Sequence, residues 1–447
     1  FRNVTKVQTC ALPILLIQFE GTMGHIVTEH RDYRLLQQRF DRHITGAPAS
    51  PTFTKILELL FTPDEARLVR RFPTIPTRTS KLAEKLQMDE AKLNDLIQDL
   101  AHRGLVVDIE RKGHRYVALP PVVIGFFEYT FMRSRPDAPM AEIAQLFEKY
   151  MLENDRFSRA VFEGQTQVGR SLPREESLPQ GDHIEILDYD RASHVVKNAS
   201  SHAVSLCACR HKAEHLGKAC DHEQNNCLSF GGAADVLVHN GLAQHISESE
   251  SMRLLEMSKE AGLAQTGDNV QNDLSYICNC CGCCCGMMEA IKTFDMNNAI
   301  VSSSWILDIN EETCTGCAKC ESACPVDAIE MVKYEKDGRK KQKAVRDEEV
   351  CLGCGVCPTY CTTGSATMKA RPQRIYTPES SFDKYAAMAI ERGKLSDLIF
   401  YDYDGFSHRT LGRVLSLLEK TSPVKALMAI EPLKSTFLNK LVSRRSR

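Results

Sequence analysis

The chain has 447 residues, of which 43% are hydrophobic and 26% are charged, and its formal net charge is -2. This length exceeds what one hydrophobic core usually organises, so we expect about two to four domains with an ordinary soluble composition. The near-neutral charge excludes a general attraction to nucleic acid or anionic membranes, and no apolar run reaches the roughly 18 residues that predict a transmembrane helix.

The first residues differ from the rest of the chain. Residues 7–14 read VQTCALPI, which resembles a translated sequencing adapter, so we interpret residues 1–22, with Cys10, as an artefact or a disordered start. The native sequence is then expected to begin near or upstream of Met23. Residues 23–51 follow as a helical lead and a linker.

Residues 52–120 have the element order of a winged helix-turn-helix. Helices are predicted over residues 53–61, from Pro63, and after caps at Ser80 and Asp89, and residues 105–119 predict a hairpin around Lys112. The basic hairpin fits phosphate, whereas acidic residues on the third helix would repel it. We therefore favour a protein-docking role for this region and keep DNA as the alternative partner.

The segments on either side of the cysteine-rich part are predicted to be helical. Residues 121–200 form a helical connector with a helix over 141–151, followed by a charged, Pro-rich linker over 171–182. Residues 371–447 form a helical C-terminal region, in which Ser381 is expected to cap a helix and residues 424–447 are amphipathic with a basic end.

Cysteine is the unusual component. There are 19 cysteines, and all except Cys10 lie between Cys207 and Cys361 in tight clusters. Such spacing is typical of metal ligation, whereas disulfide frameworks belong to small secreted domains. We expect a reducing, cytoplasmic location.

The strongest motif lies in residues 305–370. It consists of two runs with C-x2-C-x2-C-x3-C spacing, formed by Cys314, Cys317, Cys320 and Cys324 and by Cys351, Cys354, Cys357 and Cys361. Three cysteines so spaced can bind one four-iron, four-sulfur cluster while the fourth is directed to another. The segment resembles two-cluster bacterial ferredoxins. The resemblance implies two [4Fe-4S] clusters, one on Cys314, Cys317, Cys320 and Cys361 and the other on Cys351, Cys354, Cys357 and Cys324.

Residues 201–304 form a cysteine-rich segment whose ligand set the spacing leaves open. Its cysteines are Cys207, Cys209, Cys220, Cys227, Cys278, Cys280, Cys281, Cys283, Cys284 and Cys285. Crowded thiolates need a cation, so a subset is expected to hold a third [4Fe-4S] cluster. The alternatives are zinc on Cys207, Cys209, Cys220 and Cys227, or thiol redox chemistry. Nearby Arg210 and Lys212 are expected on a solvated face.

The whole arrangement is similar to 4Fe-4S proteins that join a winged-helix-like N-terminus to a cysteine-rich middle and a dicluster ferredoxin domain. We expect an α+β multidomain protein with an α/β cysteine-rich middle and a helical C-terminus. The leading hypothesis is an electron-transfer module serving a partner oxidoreductase. The alternatives are a redox- or iron-responsive regulator and a reductase whose middle cysteines act on a small substrate. No nucleotide-binding glycine loop or nucleophile triad is present, so a stand-alone enzyme is not favoured.

Overall fold

The computed structural model describes residues 23–179, 186–336 and 339–399. The adapter-like start with Cys10 and the amphipathic stretch 424–447 lie outside the described residues. The described chain mixes α-helices with antiparallel β-sheets, which confirms the α+β class. Among its helices, none combines the length and the apolar character that crossing a bilayer would require.

The N-terminal region packs helices beside a small antiparallel sheet of order β1-β3-β2. Its elements are α1 (Met23–Asp41), α2 (Pro51–Leu60), α3 (Pro63–Val69), β1 (Thr77–Arg78), α4 (Thr79–Leu86), α5 (Glu90–His102), β2 (Val107–Arg111) and β3 (His114–Ala118). The predicted helices and hairpin are confirmed, and the Asp89 side chain caps α5 by accepting a hydrogen bond from the Lys92 amide. The predicted cap at Ser80 is wrong, because Ser80 lies within α4, which begins at Thr79 and has no side-chain cap.

Aromatic side chains join this region to the helices that follow it. These helices are α6 (Phe127–Phe131), α7 (Met140–Leu152) and α8 (Arg156–Phe162). The Phe126 ring lies at the centre, with its centroid 4.8 Å from that of Phe40, 6.1 Å from that of Phe61 and 6.2 Å from that of Phe147. A single apolar core therefore connects the N-terminal region with the connector.

A six-stranded sheet organises the cysteine-rich segment, in the order β4-β8-β9-β6-β5-β7. Its strands and the surrounding helices are β4 (Gly169–Leu172), α9 (Ala192–Asn198), β5 (His202–Ser205), α10 (Ala208–His215), β6 (Cys227–Phe230), α11 (Gly231–His239), β7 (Gln244–His245), α12 (Glu248–Glu260), β8 (Ala264–Asp268), β9 (Tyr276–Cys280) and α13 (Gly286–Phe294). Every strand pairing in this sheet is antiparallel, so the predicted α/β middle is corrected to α+β. Strand β4, from the segment predicted as a helical connector and linker, forms one edge.

The third cysteine-bearing segment consists of short elements. They are β10 (Trp305–Ile309), α14 (Lys319–Ser322), β11 (Ile329–Lys336), β12 (Arg339–Arg346), α15 (Val356–Thr359) and β13 (Ala366–Ala370). Strands β10 and β13 pair, as do β11 and β12, both antiparallel. The short helices α14 and α15 carry Cys320 and Cys357.

The C-terminal helices, α16 (Ser381–Glu391) and α17 (Leu395–Ile399), pack against the rest of the chain. The cap of α16 is Ser380, one residue before the predicted Ser381. The Glu391 carboxylate accepts hydrogen bonds from the amides of Gln165 and Thr166 at 3.0 and 2.8 Å. This helix therefore fixes the end of the connector.

Candidate metal centres

The first set of C-terminal cysteines surrounds a single small cavity. Its lining includes all four sulfur residues that the ferredoxin resemblance groups together, namely Cys314, Cys317, Cys320 and Cys361. Gly316 adopts a φ of +69°, and a Cβ added there would lie 2.2 Å from the carbonyl oxygen of Gln342. Only glycine fits this turn, which lets the backbone close around the sulfurs. The Ala366 amide also points at Cys361, with an N to Sγ distance of 3.3 Å.

The second set, Cys324, Cys351, Cys354 and Cys357, lies deeper. Cys354 and Cys357 are each only 8% exposed. Burial, together with the neighbouring Cys324 and Cys351, raises the pKa of Cys354 to about 12. Thiolates are therefore unfavourable in this position unless a cationic centre compensates them.

The two sets fit iron–sulfur clusters by their donors and by their spacing. All eight side chains offer sulfur, and amides of Ala328 and Ala366 lie 3.2 and 3.3 Å from the sulfurs of Cys324 and Cys361, as cluster thiolates commonly require. Within the described part of the chain, no three of these eight sulfurs lie within 4.8 Å of one another. This spread suits ligands on separate irons of a cluster better than ligands on one ion.

The middle cysteines divide into two groups. The first, here called the four-sulfur group, contains Cys220, Cys281, Cys283 and Cys284, whose sulfurs all lie within 4.8 Å of one another. The Sγ atoms of Cys220 and Cys281 are 3.6 Å apart, those of Cys220 and Cys284 are 3.8 Å apart, and those of Cys283 and Cys284 are 3.7 Å apart. The zinc set considered from the sequence shares only Cys220 with this group.

The second group forms one wall of a cavity of about 310 Å³. This cysteine wall consists of Cys207, Cys209, Cys227, Cys278, Cys280 and Cys285, and Cys281 of the four-sulfur group also lines the cavity. Cys278 and Cys280 face the same side because side chains alternate along β9, and the pairing of Leu228 with Ile277 brings Cys227 of β6 beside Cys278. Sequence spacing alone could not separate the two groups, although the Cys-x-Cys alternation on a strand was a usable signal.

The thiols of the cysteine wall shift one another's pKa. Hydrogen bonds from Cys278 and Cys285 lower the pKa of Cys280 to about 6, in spite of its burial. Burial, together with the neighbouring Cys209, raises the pKa of Cys207 to about 12. Several thiols at such close range cannot all ionise without cations, so the wall favours metal binding.

The opposite wall of the cavity is mostly apolar. It includes Val123, Phe127, Met132 and Phe157 from the connector. Glu128 and Glu289 are acidic residues of the lining, and burial raises the pKa of Glu128 to about 7 although the Gly125 amide donates a hydrogen bond to it at 2.7 Å. The chamber can therefore hold a small molecule between apolar side chains and sulfur.

Two cations beside these cysteines are buried, so the predicted solvated face is wrong. Arg210 is 0% exposed and Lys212 is 2% exposed. Arg210 donates hydrogen bonds to the Glu223 and Asn279 carbonyl oxygens at 2.8 and 2.6 Å. Burial lowers its pKa, but Cys207 and Cys281 raise it more, and the net shift is upward. Arg210 is thus a fixed positive charge between the two groups.

The middle segment packs directly on the second C-terminal set. A Cβ at Gly282 would lie 2.5 Å from the Pro325 carbonyl oxygen, next to Cys324. From the connector, the Arg174 amide donates to the Cys354 carbonyl at 3.0 Å, and its guanidinium donates to the Lys259 carbonyl at 2.7 Å. Ser177 donates to the Gly355 carbonyl at 2.7 Å. The buried set is therefore covered by the connector and by the loop that follows β9.

Comparison with known proteins identifies one part of the chain. Residues 313–365 match the family model of the 4Fe-4S dicluster domain. No curated protein and no solved structure matches the chain. The chain therefore contains an iron–sulfur domain of the 4Fe-4S dicluster type, accompanied by a second concentration of cysteines in the middle segment.

Proposed function

We propose that this chain is an electron-transfer protein with two [4Fe-4S] clusters. Cys314, Cys317, Cys320 and Cys361 hold one cluster, and Cys324, Cys351, Cys354 and Cys357 hold the other. When bound, these clusters supply one-electron transfer. The dicluster-domain match and the collection of the first four sulfurs around one cavity support this assignment.

The main observation behind the proposal is the difference in solvent exposure between the two sets of cysteines. Cys317 is exposed, whereas Cys354 and Cys357 are buried against the connector and the cysteine-rich segment. The exposed set is thus the side that a redox protein or an oxidoreductase subunit can approach. The buried set faces the interior, where the middle cysteines lie.

Paired cysteine variants test the interleaved ligand sets. Cys317→Ser and Cys354→Ser should each remove about four iron and about four sulfide per chain, measured after anaerobic purification. Cys324→Ser combined with Cys354→Ser should remove no more than Cys354→Ser alone, because both belong to one cluster. Cys324→Ser combined with Cys317→Ser should remove about eight iron. The reverse pattern would contradict the interleaving.

A separate experiment tests whether electrons reach the buried cluster through the exposed cluster. Reduced methyl viologen serves as a small external donor, and rapid-mixing absorbance follows the reduction of the clusters. The Cys317→Ser variant should slow the reduction of the remaining buried centre relative to wild type, since its exposed neighbour is lost. An unchanged rate would mean that the buried set receives electrons by another route.

The cysteine wall is proposed as a third iron–sulfur centre. Its six sulfurs are buried or half-buried, and Arg210 is the fixed cation beside them. Iron should exceed about eight per chain in the wild type, and Cys280→Ser should remove about four iron without changing the electron paramagnetic resonance of the other two clusters. If Cys280→Ser did not alter the iron content, the proposal of a third iron–sulfur centre in the cysteine wall would be wrong.

A reductase is the second candidate function, and the chamber of about 310 Å³ beside the cysteine wall favours it. The apolar lining suits a small, largely apolar substrate. An alkyl isocyanide, as an apolar probe that binds soft metals, should perturb the magnetic resonance of the third centre alone. Val123→Phe, which fills the chamber, should abolish that perturbation. A perturbation that survives in this variant would contradict the substrate role.

The winged-helix-like region is proposed as a docking module. Its hairpin contacts α11, where the Asn240 amide donates to the Asp108 carbonyl at 3.0 Å and His239 lies 3.3 Å from the Asp108 carboxylate. Arg115 of the hairpin is paired with Asp108 at 2.7 Å rather than available for phosphate. Salt-sensitive DNA binding that changes with cluster oxidation would instead support the regulator.

The compartment is inferred from the cysteines. None of the eighteen cysteines in the described residues forms a disulfide. We infer a reducing, cytoplasmic location on this basis.

A further inference from the structure

The four-sulfur group differs from the other cysteines in its geometry. Three of its sulfur–sulfur distances are 3.6, 3.7 and 3.8 Å, and all four sulfurs lie within 4.8 Å of one another. A tetrahedral ion with metal–sulfur bonds of about 2.3 Å requires sulfurs about 3.8 Å apart. Thiolates on separate irons of a cubane are held much farther apart.

We propose that Cys220, Cys281, Cys283 and Cys284 bind a single tetrahedral divalent ion, Zn²⁺ or Fe²⁺. The site is distinct from the two proposed clusters and adjoins the cysteine wall, because Cys281 also lines the cavity beside that wall. All-sulfur tetrahedral coordination is typical of structural sites for such thiophilic ions. It replaces the assignment of these four cysteines to a third four-iron cluster.

The surroundings fit an ion that is inserted from solvent and then retained. Cys281 and Cys284 are 7% and 4% exposed, whereas Cys283 is exposed and gives access. Four thiolates around a divalent ion carry a net charge of about -2. Arg210 interacts electrostatically with Cys281, and Lys218 does so with Cys284, so nearby cations offset this charge.

The position of the site suggests its role. Cys281, Cys283 and Cys284 belong to the loop between β9 and α13, and Cys220 belongs to the loop between α10 and β6. The ion would therefore fix two distant loops to each other. It would also hold Gly282 against Pro325. Pro325 follows Cys324, a member of the buried set, in the sequence. We infer a structural ion that positions the cysteine-rich segment on the dicluster domain.

Metal analysis of the full chain tests the proposal. Anaerobically purified protein should contain about one Zn²⁺, or one iron without accompanying sulfide, beyond the iron of its clusters. Cys220→Ser and Cys283→Ser should each lose that single equivalent. Cys227→Ser, in the cysteine wall, should keep it and serves as the matched control. Growth with Co²⁺ should produce the intense visible absorption of tetrahedral cobalt–thiolate, absent in Cys283→Ser.

Two outcomes would overturn the site. A loss of about four iron and about four sulfide in Cys220→Ser would identify a cluster in place of a single ion. Retention of all metal in both variants, with fewer free thiols in the wild type, would identify disulfides. Because Cys283 is exposed, its variant should fold, and the paramagnetic signals of the two clusters check this. Absence of those signals in the wild type would contradict the electron-transfer proposal and not this one.

Discussion

His43 is a buried histidine whose protonation should weaken the fold. Burial, with added repulsion from Arg39 and Lys394, lowers its pKa from 6.5 to about 3. The unfolded chain therefore binds this proton first as the pH falls, so the stability is complete above about pH 6.5 and is lost towards pH 3. Relative to His43→Gln, the wild type should lose about 2 kcal/mol of unfolding free energy between pH 6.5 and 5.0. Anaerobic thermal unfolding at both pH values measures this loss.

An exposed histidine provides the control for this effect. The side chain of His30 is 67% exposed, at 3.3 Å from Glu58. His30→Gln is therefore the matched histidine substitution at a site outside the core. If His43→Gln retained the same acid sensitivity as the wild type, the loss of stability would have to come from other groups, such as the cluster thiolates.

Individual residues were predictable where a local rule governs them. Asp89 caps its helix as expected, because the cap depends only on its own turn. The dicluster-type domain was equally predictable from local spacing, and the family match over residues 313–365 confirms it. Arg210 was misjudged because its burial depends on carbonyl groups of Glu223 and Asn279, which lie far apart in sequence. No local pattern encodes that contact.

Gly282, in the loop between β9 and α13, and Gly286, the first residue of α13, form a matched pair. A Cβ at Gly282 would lie 2.5 Å from the Pro325 carbonyl oxygen, whereas a Cβ at Gly286 would meet nothing within 4 Å. Gly282→Ala must therefore displace either its loop or Pro325, at a cost of about 1–3 kcal/mol. We expect lower iron content and altered magnetic resonance of the cluster that includes Cys324. Gly286→Ala should leave both unchanged, and equal effects of the two substitutions would contradict a direct contact.

The attachment of the β2–β3 hairpin to α11 should depend on a single buried carboxylate. Asp108 is 1% exposed and holds Arg115 at 2.7 Å. Asp108→Asn weakens this pair and the contact with His239, so the hairpin should separate more easily from α11. Trypsin should then cleave faster at Arg111 and Lys112 in limited proteolysis. Glu110→Gln, on the same hairpin, should show the wild-type rate, and a fast rate there too would indicate a general charge effect.

Helices and hairpins could be read from the sequence, whereas the large sheet could not. Caps, turn residues and apolar periodicity lie within a few positions, which is why α5, α7 and the β2–β3 hairpin were anticipated. Strand β4 has four buried residues in a segment that appeared to end in a charged linker, and it pairs with β8 about a hundred residues later. The division of the middle cysteines into two groups depends on the same long-range pairings.

A buried ion pair fastens the C-terminal helix to the six-stranded sheet. Lys384 of α16 pairs with Asp268 of β8, and their side chains are only 3% and 1% exposed. Asp268 also accepts a hydrogen bond from the Ser275 hydroxyl at 2.6 Å. The same helix binds the connector through Glu391, so α16 links two parts of the molecule that the chain itself joins only indirectly.

Removing one partner of this pair should uncouple the C-terminal helix from the sheet. Lys384→Met leaves the Asp268 charge buried without its cation, which should cost about 3–5 kcal/mol. Calorimetry should show a lower unfolding midpoint, and hydrogen exchange should show faster exchange of α16 and β8 amides while the dicluster segment keeps its protection. The double variant Lys384→Met with Asp268→Asn removes both charges and should recover much of the stability. If the single and double variants were equally unstable, packing of the lysine stem, and not the ion pair, would hold the helix in place.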